Sequence, residues 1–222
     1  MRSIFIILLV SSYFLITQSA SPFIRYVALG DSYTVCTGAE QSQAWPLVLS
    51  SHLKQNNIDI QLVENLAHNG WTTKDLIDKE LPVFDQSKPD FVTLLIGAND
   101  WVQGSNEKEF RTNFIYILEH IQSQLPNKSN LLILTIPDFS VTPTGARYSY
   151  GRDASAGISS FNHIIKEEAG KRKLLIVDLF EKSKEMGSHT NLVAMDGLHP
   201  SAKEYRIWET LIYPVAYNIL NK

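Results

Sequence analysis

A serine, a histidine and an aspartate stand where hydroxyl-based chemistry needs them, although they lie far apart along the chain. Ser32 closes the stretch Tyr26-Val-Ala-Leu-Gly-Asp-Ser32, in which an apolar run stops at Gly30. Such a run bounded by glycine reads as a buried strand. A serine just past it sits at the C-terminal edge of a sheet, where open α/β folds bind ligands. His199 lies in Asp196-Gly-Leu-His199-Pro200. An Asp and a His so spaced in a turn can set the carboxylate against one imidazole nitrogen and leave the other to face a hydroxyl. A general base in acyl transfer requires that arrangement, with one tautomer fixed and one lone pair presented. Pro200 restricts His199 to extended backbone angles. The same residues also read as a capped strand end, as an Asp-capped turn with a surface histidine, or as half of a metal site.

Two further blocks carry donors. Asn99, in Gly97-Ala-Asn-Asp-Trp101, follows the most continuous apolar run. Its side-chain NH₂ could make a turn or donate to a developing oxyanion. Gly70 ends Asn65-Leu-Ala-His-Asn-Gly70 and allows a backbone N–H to approach a ligand closely. His68, beside it, could contact substrate or bond its own loop. Asp31 and Asp100 read as loop structure rather than acid–base groups.

The elements that must position these residues alternate. Strand-like runs at 23–29, 58–66, 91–96, 131–136 and 174–177 are separated by helical patterns at 44–53, 73–81, 107–125, 154–169 and 201–220. Pro82 stands near the end of the second helix, Pro126 terminates the third, and Pro214 is expected to kink or divide the last. Ser201 and Glu204 stand at capping-box spacing. Strands alternating with helices are βαβ units. They predict a mainly parallel, about five-stranded sheet in a three-layer α/β/α sandwich, flavodoxin-like, as a single domain over 21–222. Every strand-to-helix loop then opens on one edge of the sheet. The long loop at 137–152 belongs to that edge. In it Phe139, Tyr148 and Tyr150 could line an acyl or aryl pocket, and Arg147 or Arg152 could meet an anionic substrate.

Taken in order, Gly30-Asp31-Ser32, Gly70, Gly97-x-Asn99-Asp100 and Asp196-x-x-His199-Pro200 resemble the blocks of the SGNH hydrolases, the GDSL esterase/lipase family. The similarity runs from about Arg25 to the final helix, and Ala44-Trp45-Pro46 looks like its thioesterase/lysophospholipase-type and arylesterase branch. The resemblance implies a nucleophile at Ser32, a general base at His199 oriented by Asp196, and an oxyanion hole from the N–H groups of Ser32 and Gly70 with the amide of Asn99. It implies a serine esterase acting on carboxylic esters or thioesters, including lipid esters, through an acyl-enzyme, with no cofactor. A carbohydrate O-deacetylase is the alternative within the family. Outside it stands a non-catalytic flavodoxin-like binding protein. Two departures are visible: His68-Asn69 replaces the small residues that often precede the second-block glycine, and Lys203-Glu204 precedes Tyr205 where a glycine is frequent.

Composition narrows the rest. The chain has 222 residues and a formal charge of −3, with no basic excess to suit nucleic acid. Cys36 is the single cysteine, so no internal disulfide forms and no cysteine cluster can hold structural zinc. No His/Asp/Glu cluster has metal spacing, and no phosphate-binding or dinucleotide fingerprint occurs. Residues 1–20 have the layout of a secretory signal: Arg2, an apolar stretch from Ile4 to Ile16, then small residues. That stretch falls short of the ~20 residues needed to span a bilayer. The expectation is therefore a secreted or periplasmic protein, with an uncleaved anchor as the alternative. Asn127-Lys-Ser129 is a glycosylation acceptor if the host secretes through an endoplasmic reticulum.

Overall fold

A computed structural model of the chain describes residues 23–221; the expected signal segment at 1–20 lies outside them. In chain order the regular elements are β1 (Ile24–Gly30), α1 (Ser32–Val35), α2 (Trp45–Gln55), β2 (Ile60–Asn65), α3 (Thr73–Asp75), α4 (Leu81–Ser87), β3 (Phe91–Leu95), α5 (Ala98–Gln103), α6 (Glu107–Gln124), β4 (Leu131–Leu134), α7 (Gly145–Ser149), α8 (Ala154–Lys171), β5 (Leu175–Val177), α9 (Phe180–Ser183) and α10 (Ala202–Leu220). The five strands form one sheet in the order β2-β1-β3-β4-β5, and every pairing is parallel. This is the α/β architecture that the alternating pattern predicts.

Central strands β3 and β4 are buried at every residue, which is why their sequences are continuous apolar runs rather than alternating ones. The edge strand β2 alternates because part of it meets water. Helices α2 and α10 pack on each other, as do α6 and α8. Where strands bury a polar group they pair it: the Tyr26 hydroxyl lies 2.8 Å from Thr93 Oγ1 on the neighbouring strand.

Three expectations need correction. The helix beginning at Thr73 does not stop near Pro82. It passes through a π-helical turn, Leu76–Glu80, into α4. There the Leu81 N–H reaches back five residues to the Leu76 carbonyl. Pro82 falls in the first turn of α4, where an N–H is dispensable. Second, Pro214 does not divide α10. Both Pro214 and Thr210, whose carbonyl loses its helical donor, are exposed, so that carbonyl is open to solvent rather than buried unpaired. Finally, β5 begins at Leu175, one residue later than the run from Leu174 suggests.

Candidate active site

Ser32 is the first residue of α1, immediately after β1. The turn between them requires glycine: Gly30 has φ +148°, and a Cβ there would meet the Leu95 carbonyl oxygen at 2.1 Å. Asp31 caps α1 by accepting the Tyr33 N–H at 3.0 Å. The Ser32 N–H, at the first helical position, has no carbonyl of its own helix to reach.

His199 is brought to this turn across the fold. Its Nε2 lies 3.0 Å from Ser32 Oγ, and its Nδ1 lies 2.6 Å from Asp196 Oδ2. The other Asp196 oxygen accepts the Leu198 and His199 N–H groups at 2.9 and 3.0 Å. Burial works against the charge of Asp196, but those donors and the imidazole outweigh it and hold its carboxyl below the usual range. A carboxylate so bound fixes the imidazole with Nδ1–H toward Asp196 and the Nε2 lone pair toward the hydroxyl. The turn is braced from both sides: Ala194 N–H donates to the His199 carbonyl at 2.8 Å, and Thr144 N–H to that of Gly197 at 2.9 Å. The second brace comes from the 137–152 loop, which is folded through α7 rather than extended over the surface.

Asn99 stands in the first turn of α5, and its Nδ2 donates to the Trp71 carbonyl at 3.0 Å. One N–H of that amide is thereby fixed, leaving the second available to a ligand. Gly70 precedes the carbonyl-bearing Trp71 and has φ +79°, the left-handed backbone that favours glycine. It does not itself line the cleft. Asp100 accepts the Thr73 N–H at 2.9 Å and bonds the Thr73 hydroxyl, so it joins α5 to α3 as loop structure.

The cleft over these groups is small, about 50 Å³, and is lined by Ser32, Tyr33, Asn99, Val102, Phe139, Tyr148, Leu198 and His199 among others. The structure brings Ser32, Asn99, Asp196 and His199 together, with Phe139 and Tyr148 beside them. It turns Tyr150 outward, 73% exposed, because it caps α7 in a left-handed conformation. His68 stacks on Trp71 with ring centroids 4.6 Å apart and does not line the cleft. Arg152 donates to the carbonyls of Trp101 and Val102, fastening the loop to α5 rather than facing the cleft. Tyr33, Val102 and Leu198 escaped the sequence reading, since single apolar residues near a motif carry no signal of which way they point. Cys36 is buried and accepts the Trp45 N–H, as a packing residue does. No group of three potential metal-ligating side chains occurs among the described residues.

The model of the GDSL-like lipase/acylhydrolase family matches residues 28–207. Among curated relatives, the chain is 24% identical over 202 residues to an esterase, TesA, of Pseudomonas aeruginosa, covering 89% of this chain and 92% of that one. It is 25% identical over 137 residues to an arylesterase of Vibrio mimicus, covering 62% and 66% respectively. A solved structure of Axe2, an acetylxylan esterase of Geobacillus stearothermophilus, shares the fold with TM-score 0.69 at 18% identity, covering 87% of this chain and 94% of that one. The chain belongs to the GDSL-like lipase/acylhydrolase family and is a serine hydrolase acting on ester bonds.

Proposed function

We propose that the protein is an exported esterase that cleaves its substrate through an acyl-enzyme on Ser32. The observation that supports this most directly is the unbroken line Asp196–His199–Ser32, with steps of 2.6 and 3.0 Å, in the cleft that Asn99 also lines. In this reading Ser32 Oγ attacks the ester carbonyl carbon while His199 Nε2 takes the hydroxyl proton. The carbonyl oxygen becomes an oxyanion and accepts from the Asn99 amide and from the Ser32 N–H. Collapse breaks the bond to the alcohol or thiol, which leaves with the proton from His199. Water then attacks the acyl group with His199 again as base, releasing the acid and restoring Ser32.

A short acyl group suits the site. Its volume of about 50 Å³ lies far below the ~300–1,000 Å³ of pockets that enclose drug-sized ligands. The same observation favours the O-deacetylase as a second reading, in keeping with the acetylxylan esterase among the structural relatives. Export rests on the layout of residues 1–20; no helix of the described residues is long and apolar enough to cross a membrane.

A fluorophosphonate label followed by peptide mapping tests the nucleophile, and attachment anywhere but Ser32 overturns the mechanism. A p-nitrophenyl ester series then tests the acyl group, with acetate expected to outpace longer chains. Acetate release from acetylated xylan, compared with the acetate ester, separates the two readings.

A further inference from the structure

The segment that carries Asp196 and His199 rests against a turn that takes no part in the mechanism. Residues 192–201 form a narrow ribbon. In it Ala194 N–H donates to the His199 carbonyl at 2.8 Å, Ser201 N–H to that of Leu192 at 2.8 Å, and Val193 pairs antiparallel with Pro200. The facing turn, 36–39, follows α1 directly. Its Cys36 and Thr37 N–H groups both donate to the Ser32 carbonyl, the second at 3.0 Å. Thr37 is also held from outside α1. Its carbonyl accepts the hydroxyl of the buried Tyr205, on α10, at 3.0 Å, and its own hydroxyl donates to Asn69 Oδ1 at 2.6 Å. The turn is thereby tied to the backbone of the nucleophile, to α10 and to the 65–70 loop.

Gly38 is where this turn meets the ribbon. A Cβ there would lie 2.5 Å from Ala194 Cβ, 2.9 Å from the Pro200 carbonyl oxygen and 3.5 Å from His199 Cβ, so it would press on both arms. The Pro200 oxygen belongs to the backbone and cannot rotate aside. We propose that Gly38 is the spacer that sets the reach of His199 to Ser32: with hydrogen alone at this position the ribbon seats against the turn and leaves Nε2 3.0 Å from Oγ. Gly38 is then a positioning residue, acting through His199. Asp196 accepts both the N–H and the Nδ1–H of His199, at 3.0 and 2.6 Å, so a side chain at 38 pushes the pair away together and lengthens the step to Ser32.

The spacer role rests on Ser32 being the nucleophile and His199 its base. Gly38→Ala should lower kcat about 10²-fold, the cost of misplacing a reacting group by about 1 Å, with KM within about twofold of wild type. Gly104→Ala is the control. Gly104 also has a left-handed backbone, φ +88° against +97° for Gly38, but a Cβ there would meet nothing within 4 Å. That variant should share the loss of thermal stability and keep kcat within about twofold. Fluorophosphonate labelling separates displacement from partial unfolding, since Gly38→Ala should reach full stoichiometry at a reduced rate. Adding Ala194→Gly removes the nearest obstacle and should restore about tenfold of the lost kcat. A crystal structure of Gly38→Ala should place Nε2 more than about 3.5 Å from Oγ, with the Asp196–His199 bond intact. Equal kcat in Gly38→Ala and Gly104→Ala, incomplete labelling at the wild-type rate, or an unmoved ribbon overturns the spacer. If Gly38→Ala does not fold, the double variant takes its place, and a kcat equal to that of Gly104→Ala overturns the proposal. If Ser32→Ala keeps full activity, the nucleophile assignment fails and the position of the ribbon alone decides the spacer.

Discussion

Glu80 and Glu168 are buried to nearly the same depth, 1% and 2% exposed, yet their protons go opposite ways. Glu168 on α8 meets Arg111 at 2.5 Å, Lys171 at 2.9 Å and Arg172 at 3.1 Å. Burial raises its carboxyl, but these cations outweigh that and hold it below the ordinary range. Glu80 has acids for company, and burial carries it upward against a single opposing donor, the Gly30 N–H. Depth alone therefore does not decide the charge of a buried acid; its partners do. The α6–α8 region, away from the nucleophile, ties its helices with ion pairs. The region under Ser32 ties its turn with backbone N–H groups donating to the carboxyls of Glu80 and Asp31. Asp196 gives the third solution, at the rim: a carboxylate kept charged by N–H donors and one imidazole.

The comparison breaks most severely at Ser32. Ser32→Ala should reduce kcat by about 10⁶-fold while leaving the thermal midpoint close to wild type, measured by ester turnover and thermal unfolding. Asn99→Ala should cost about 10²–10³ in kcat, read in the same assay. A loss confined to KM would place the amide in ground-state binding instead.

The pH dependence of stability sharpens the contrast. Asp31 and Glu80 have folded-state values near 7 and 9, above their unfolded ones, so their contribution is complete below the ordinary carboxylate range and fades as pH rises through those values. Glu168 and Asp196 are depressed, and their contribution fades as pH falls through their folded values. Tm should therefore decline on both sides, with the alkaline decline flattened in Glu80→Gln and the acid decline untouched by it. The smallest effect belongs to Arg111→Ala. Removing one of three cations around Glu168 should lower Tm by a few degrees and leave kcat unchanged, since α6 and α8 lie outside the cleft. A change in kcat there would mean that the two regions are coupled.

Much of this was legible before any coordinates. The parallel sheet followed from the continuous apolar runs of β3 and β4, and the edge position of β2 from its alternation. The convergence of Ser32, Asn99 and Asp196–His199 on one rim followed from each standing in a strand-to-helix or pre-helix loop. Pro82 misled because a proline ordinarily closes a helix, and the π-helical turn that admits it has no sequence period of its own. Tyr150 misled for a related reason. An aromatic residue in a long loop gives no direction, and here the left-handed cap of α7 turns it to solvent.

The order of elements, the residues able to act as donor, base and nucleophile, and the edge on which they gather were set by local pattern and residue type. Those are properties of short stretches, fixed by backbone geometry and hydrophobic period. Distances across the fold were not. That His199 reaches Ser32, that the cleft closes to a small volume, and that Glu80 is buried against the Gly30 N–H all depend on packing between residues far apart in the chain. There, burial decides how strongly each charge is felt and which group keeps its proton.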